Sequence, residues 1–264
     1  MKIGLIGLGN MATAMIGGMI GTGTVKAEDV IVSSRTKQSV EKTVSRFGVC
    51  PRSTNSDVAK ESDILILAVK PQMYEAVLKE IAGALRPETV VVSIAPGKTM
   101  QWISDRLSAE TKIVRCMPNT PALVSEGCTG VCKNALVTEA EMERVLSILN
   151  SFGKAFVVPE TLMDTVVGVS GSSPAYVFMF IEAMADAAVS DGMPRNQAYE
   201  FAAQAVYGSA KMVLETGMHP AQLKDMVCSP GGTTIEAVRV LEEKGFRSAV
   251  MEAQKACVEK AKNV

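Results

Sequence analysis

Two glycine-rich turns stand near opposite ends of this chain, and each leads into a stretch of helical periodicity. "GLGNMA" supplies Gly7, Gly9 and Ala12, and "SPGGTTIEAV" supplies Gly231, Gly232, Thr233 and Thr234. A helix N-terminus presents unpaired N–H groups and a partial positive charge, so both turns suit anions. The first has the G-x-G-x-x-G/A spacing of a dinucleotide-phosphate turn. Gly7 permits the tight turn, Gly9 lets a pyrophosphate approach the backbone, and Ala12 keeps helix and strand close. In the second, Thr233 and Glu236 make a T-x-x-E capping box. That box leaves the N–H groups of Thr234 and Ile235, and the Thr234 hydroxyl, without an assignment. Gly231 and Gly232 keep side chains away, which makes a small backbone-lined pocket of carboxylate size.

The end of the second apolar segment bears on which dinucleotide fits. NAD sites place an acidic residue there for the ribose 2'-OH. "IVSSRTK" has none: Ser33 and Ser34 are followed by Arg35, Thr36 and Lys37. Hydroxyls and two cations suit a 2'-phosphate, which a guanidinium binds in a forked, charge-assisted way. NADP(H) is favoured over NAD(H), although a solvated basic loop has the same composition.

Other chemistries are poorly supplied. The one histidine, His219, precedes Pro220 and reads as a helix start with Pro at the first helical position. His-based nucleophiles and His-rich metal sites therefore have no residue to use. Cys128 and Cys132 are the closest pair among six scattered cysteines, with no second ligand pair, so no metal is expected and the thiols read as buried or idle.

These residues need elements to hold them. "KIGLIGL", "DVIVSS", "DILILAV", "TVVVSIA" and "KIVRCMP" are short apolar runs separated by segments of helical period. Such alternation predicts a parallel sheet covered on both faces, a doubly wound α/β (Rossmann-type) domain over residues 1–161. Residues 162–264 have no further strand pattern and read as an all-helical domain. "SPAYVFMFIEAMADAAVSDG" is apolar nearly all round, with Glu182, Asp186 and Ser190 in one narrow stripe, so it should be buried on most sides, in part against a partner subunit.

Three further stretches stand where ligands bind such folds. "AVKPQ" (Ala68, Val69, Lys70, Pro71, Gln72) and "CMPNTPA" (Cys116 to Ala122) end strands, so both should border a nicotinamide. Lys70 is either an acid for the reaction or a solvated charge. "SGSSPAY" brings Ser172 and Ser173 to the start of the long helix, as substrate contacts or with Ser173 as N-cap before Pro174.

Taken in order, "GLGNMA", "LAVKPQ", "MPNTPA", "SGSSPAY" and "LKD…SPGGTTIEA…LE…GFR" resemble the pyrroline-5-carboxylate reductase family over essentially the whole chain. The resemblance implies NAD(P)H-dependent reduction of 1-pyrroline-5-carboxylate to L-proline, the last step of proline biosynthesis. It implies an α/β nucleotide domain, a helical dimerisation domain and a homodimer or higher oligomer built on dimers. It also places cofactor contacts at Ile6, Gly7, Leu8, Gly9, Asn10 and Met11, at Ser34, Arg35 and Thr36, at Asn55, and at Val69 with Lys70. The substrate carboxylate falls to the backbone of the "SPGGTT" turn, and the ring nitrogen to Thr234.

The residues agree with that chemistry. A cyclic imine is basic enough to be protonated near neutral pH, and its iminium carbon takes hydride without a strong acid nearby. A hydroxy-acid dehydrogenase needs a strong acid or base for the alcohol oxygen, and "SGSSPAYVFMFIEAM" has no Lys or His. Two alternatives remain open: a reductase of another small cyclic imine, and a non-catalytic NADP-binding sensor, which has no use for the "SPGGTT" pocket. A net charge of −1 gives no footprint for nucleic acid or an anionic membrane surface. No uninterrupted apolar run of about 18 residues appears, so no spanning helix is expected. The glycine-interrupted N-terminus reads as structure rather than a signal peptide, and a cytoplasmic location is expected.

Overall fold

The structure, a computed structural model, describes residues 1–262. Eight strands form one sheet: β1 (Ile3–Ile6), β2 (Val30–Ser33), β3 (Cys50–Pro51), β4 (Ile64–Leu67), β5 (Val90–Ser93), β6 (Lys112–Met117), β7 (Gly127–Lys133) and β8 (Gly153–Val157). Their order is β3-β2-β1-β4-β5-β6-β7-β8. Twelve helices accompany them among the described residues: α1 (Asn10–Gly21), α2 (Lys37–Phe47), α3 (Asn55–Glu61), α4 (Tyr74–Ile81), α5 (Met100–Ser104), α6 (Glu139–Asn150), α7 (Met163–Val166), α8 (Ser173–Ser190), α9 (Arg195–Thr216), α10 (Pro220–Val227), α11 (Thr233–Glu243) and α12 (Phe246–Ala261).

The central strands β1, β2, β4 and β5 are buried at every residue, as a sheet covered on both faces requires. Alternate residues serve opposite layers. Ile3, Leu5, Ile64 and Ile66 pack with Met15, Ile16 and Met19 of α1 and Val145 and Ile148 of α6. Leu65, Leu67 and Val91 face the other way, onto Val58 of α3 and Tyr74, Leu78 and Ile81 of α4. Each such side chain stabilises the fold by about 1.5–3 kcal/mol through burial. The Tyr74 hydroxyl, inside that second layer, donates to Leu67 O at 2.7 Å, and burial pushes its pKa up.

The sheet is not wholly parallel. β7 runs antiparallel to β6, and β8 lies parallel to β7 at the edge. None of β7, β8 and the two-residue β3 shows a continuous apolar run, because glycines, polar residues and a proline interrupt them.

By contacts the chain divides into two compact units. One is Met1–Ser172 together with the chain from Cys257 on, and the other is Ser173–Ala256. In the second unit α8 buries only Ala185 within the chain. Phe178 and Met179 are 62% and 68% exposed, so a single chain does not cover this helix by itself. The helical run Glu160–Ser190, which joins α7 and α8, is also long and apolar enough to cross a membrane by length and composition. In the sequence Gly168, Ser170, Gly171, Ser172, Ser173 and Pro174 interrupt that run, so it does not read as an unbroken apolar stretch. His219 is the N-cap of α10: its Nδ1 accepts from Ala221 N at 3.2 Å, and Pro220 follows at the first helical position.

Candidate active site

Four strand and helix ends converge on one cleft of about 870 Å3 in the first unit. Ile6, Gly7, Leu8 and Gly9 come from the turn after β1, Ser34, Arg35 and Thr36 from the end of β2, Asn55 from the start of α3, and Ala68, Val69 and Lys70 from the end of β4. Gly7 has φ +95°, and a Cβ there would meet Ala68 O at 2.7 Å, so only glycine makes this turn. Its N–H donates to Ser33 O at 2.9 Å, which closes the turn onto β2. Lys70 is held extended before Pro71, with ψ 149°.

The remaining residues expected here divide. Asn10 opens α1, Met11 packs against the core and Pro71 begins the 3-10 turn Pro71–Met73, and none of the three lines the cleft. The same is true of Cys116 to Ala122. There Asn119 is a latch instead: its Nδ2 donates to Ser170 O at 3.0 Å and its Oδ1 accepts from Cys128 N at 2.8 Å. The cleft has a wall that the sequence does not announce. Met73, the N-cap of α4, and Ala76, Val77 and Glu80 within it line the cleft at i, i+3, i+4 and i+7 spacing. That spacing also describes a core face, which hides its second use.

The cleft fits a dinucleotide phosphate. A Cβ on Gly9 would meet nothing within 4 Å, and no side chain caps α1, so open space lies over the free N–H groups of its first turn. Ser34, Arg35 and Thr36 bring hydroxyls and a guanidinium, and no carboxylate, to the end of β2.

The residues proposed for substrate have their own local geometry. Ser172 follows a π-helical turn, Val167–Gly171, and its N–H donates to Val167 O at 2.8 Å. Its Oγ accepts from Cys257 Sγ at 3.1 Å. α8 begins at Ser173 itself, so Ser173 is the first helical residue rather than the N-cap, and Pro174 is the second. In the second unit, Gly231 has φ +69° and Gly232 donates to Ser229 O at 3.0 Å. A Cβ on Gly232 would meet Ser229 Oγ at 2.4 Å. Gly232 is the N-cap of α11, so the expected Thr233–Glu236 capping box does not form. Thr233 is already helical, and Glu236 accepts from Arg239 Nε at 3.0 Å instead. With no side-chain cap, the first turn of α11 carries its N–H groups free of intrahelical partners.

All six cysteines are free. Burial raises Cys116 well above the ordinary thiol and Cys132 to about 11, so both are inert at neutral pH. No cluster of three or more metal-ligating side chains occurs among the described residues.

Comparison with known proteins agrees with this geometry. The profile for pyrroline-5-carboxylate reductase dimerisation matches residues 160–264, and that for NADP oxidoreductase, coenzyme F420-dependent, matches residues 2–97. The pyrroline-5-carboxylate reductase of Escherichia coli strain K12 is 56% identical over 263 residues, covering 100% of this chain and 98% of the relative. The chain belongs to the pyrroline-5-carboxylate reductase family. A solved family structure from Coxiella burnetii superposes with a TM-score of 0.92 at 34% identity, over 99% of this chain and 97% of that one. Another, from Plasmodium falciparum with NADP bound, has a TM-score of 0.89 at 34% identity, over 99% of this chain and 97% of that one.

Proposed function

We propose that the protein reduces 1-pyrroline-5-carboxylate to L-proline, with NADPH as the preferred cofactor and NADH as a second. When bound, NADPH supplies the hydride. Gly7 and Gly9 with the α1 N-terminus hold its pyrophosphate, and Ser34, Arg35 and Thr36 take the 2'-phosphate. Ile6, Leu8, Asn55, Ala68, Val69 and Lys70 complete the cofactor site, with Asn10, Met11 and Pro71 beside the cleft rather than in its lining.

The substrate falls to Gly231, Gly232, Thr233 and Thr234, with Ser172 and Ser173. The uncapped start of α11 is the observation that carries this part. Its free N–H groups donate to a carboxylate without any cation, and the Thr234 hydroxyl orients the ring nitrogen. A threonine hydroxyl is too weak an acid to supply the proton, so the imine enters already protonated. The chain's work is then to hold the iminium carbon still and keep water from replacing the carboxylate contacts.

Residues 1–161 are assigned to cofactor, and 162–264 to substrate and dimerisation. The exposed apolar side chains of α8 and α9, Phe178, Met179 and Phe201 among them, then meet a second copy of the chain rather than a membrane. The assembly is a homodimer or a higher oligomer built on dimers, in the cytoplasm. Steady-state oxidation of NADPH by pyrroline-5-carboxylate tests the function. Turnover with another cyclic imine only, or cofactor binding with no turnover, would replace it with one of the two alternatives.

A further inference from the structure

Glu80 carries no motif, yet its carboxylate grips Asn55 twice. Asn55 Nδ2 donates to Glu80 Oε2 at 2.7 Å, and Asn55 N donates to Glu80 Oε1 at 3.2 Å. On the other side of the same amide, Ser33 Oγ donates to Asn55 Oδ1 at 2.7 Å. All three residues line the cleft. We infer that Glu80 is a positioning residue for the dinucleotide: through Asn55 it decides which edge of an amide the adenosine end meets.

The argument is one of donors and acceptors. A carboxylate only accepts, so it draws Nδ2 toward itself and turns Oδ1 onto Ser33. Ser33 alone cannot make that choice, because a hydroxyl accepts as readily as it donates. With Glu80 in place, the amide keeps one N–H and one lone pair free, both in fixed directions. Ser33 O also accepts the Gly7 N–H at 2.9 Å, so one relay runs from α4 through α3 and β2 to the phosphate turn. A merely structural tie between α3 and α4 does not need the carboxylate. The backbone carbonyl of Glu80 accepts from Ser56 Oγ at 2.9 Å, and any residue at position 80 keeps that bond.

This inference rests on reading the cleft as the dinucleotide site. The test is Glu80→Gln, alone and in an Asn55→Ala background, with Kd for NADPH and NADH measured on the native oligomer by nicotinamide fluorescence. Glutamine has one acceptor oxygen for two N–H donors, and its own amide competes. Kd is expected to rise roughly 5- to 20-fold for both cofactors alike, since adenosine is common to them. The KM for the imine, kcat at saturating cofactor and the melting temperature should stay at native values. In the Asn55→Ala background, Glu80→Gln should add nothing further. An unchanged Kd overturns the inference, as does an equal rise in both backgrounds, an effect on NADPH alone, or a rise that merely follows a lower melting temperature. A native protein that binds neither cofactor removes the reading of the cleft and this inference with it. Native binding followed by any of those outcomes removes the inference alone.

Discussion

Arg115 Nη1 lies 3.2 Å from Glu160 Oε1, and that same carboxylate oxygen accepts the Met100 N–H at 2.8 Å. The arginine side chain is 3% exposed, and its second carboxylate, Asp164, is looser at 3.7 Å. One ion pair therefore joins β6, the start of α5 and the turn that leads into α7. Removing Glu160 strands a buried charge with only the looser partner. Glu160→Ala should cost about 2–4 kcal/mol in urea unfolding, toward the low side of a broken buried pair because Asp164 remains. A cost below about half a kcal/mol would mean that water reaches the guanidinium and replaces the pair.

Arg35 stands in the cleft where the sequence places a 2'-phosphate partner. Arg35→Ala should weaken NADPH binding by roughly 1.5–3 kcal/mol and leave NADH nearly unaffected. Titration with both cofactors decides it, and equal losses would end the 2'-phosphate role.

Thr234 and Thr233 should behave differently. Thr234→Val keeps shape and backbone amides but loses one hydrogen bond at the reacting centre, so catalytic efficiency should fall roughly 5- to 150-fold with folding and cofactor affinity retained. Activity should not vanish, because the iminium forms without that hydroxyl. Thr233 sits inside the first turn rather than at the cap, so Thr233→Ala should change stability by less than the ~1 kcal/mol of a lost cap. Normal kinetics in Thr234→Val beside impaired kinetics in Thr233→Ala would reverse the two roles.

The carboxyl of Glu61 is held down to about 2 from an ordinary 4.5, first by hydrogen bonds from Arg52 at 2.6 and 2.7 Å and then by Lys2 at 2.9 Å. A depressed carboxylate pKa stabilises the fold above its unfolded value and loses that contribution as pH falls toward the folded one. Glu61→Gln should therefore flatten the decline in melting temperature between pH 4.5 and pH 2. The effect should be small, since the pair is partly exposed. Parallel curves for the two proteins would assign acid sensitivity elsewhere.

Phe178 and Met179 test the assembly. Glutamate at both positions places charge where a second copy is proposed to pack, and light scattering should then report a smaller species than the native protein. An unchanged native-sized oligomer would move the interface off this face of α8.

The glycine turn after β1, the acid-free end of β2 and the alternation of buried strands with helices were legible in the residues, because each depends on local spacing within a few positions. The resemblance across five motifs extended that reading to the whole chain. What stayed hidden depended on long-range partners. β7 and β8 lack an apolar run and exist as strands because β6 offers an open edge. The capping box at Thr233 fitted the pattern, but the helix begins one residue earlier than that box requires, with Gly232 at the N-cap. Glu80 is distant from Asn55 along the chain, and only the packing of α4 against α3 makes it the acceptor for that amide. Periodicity marks which face of a helix is apolar, while tertiary packing decides whether that face meets the core, a ligand cleft or another chain.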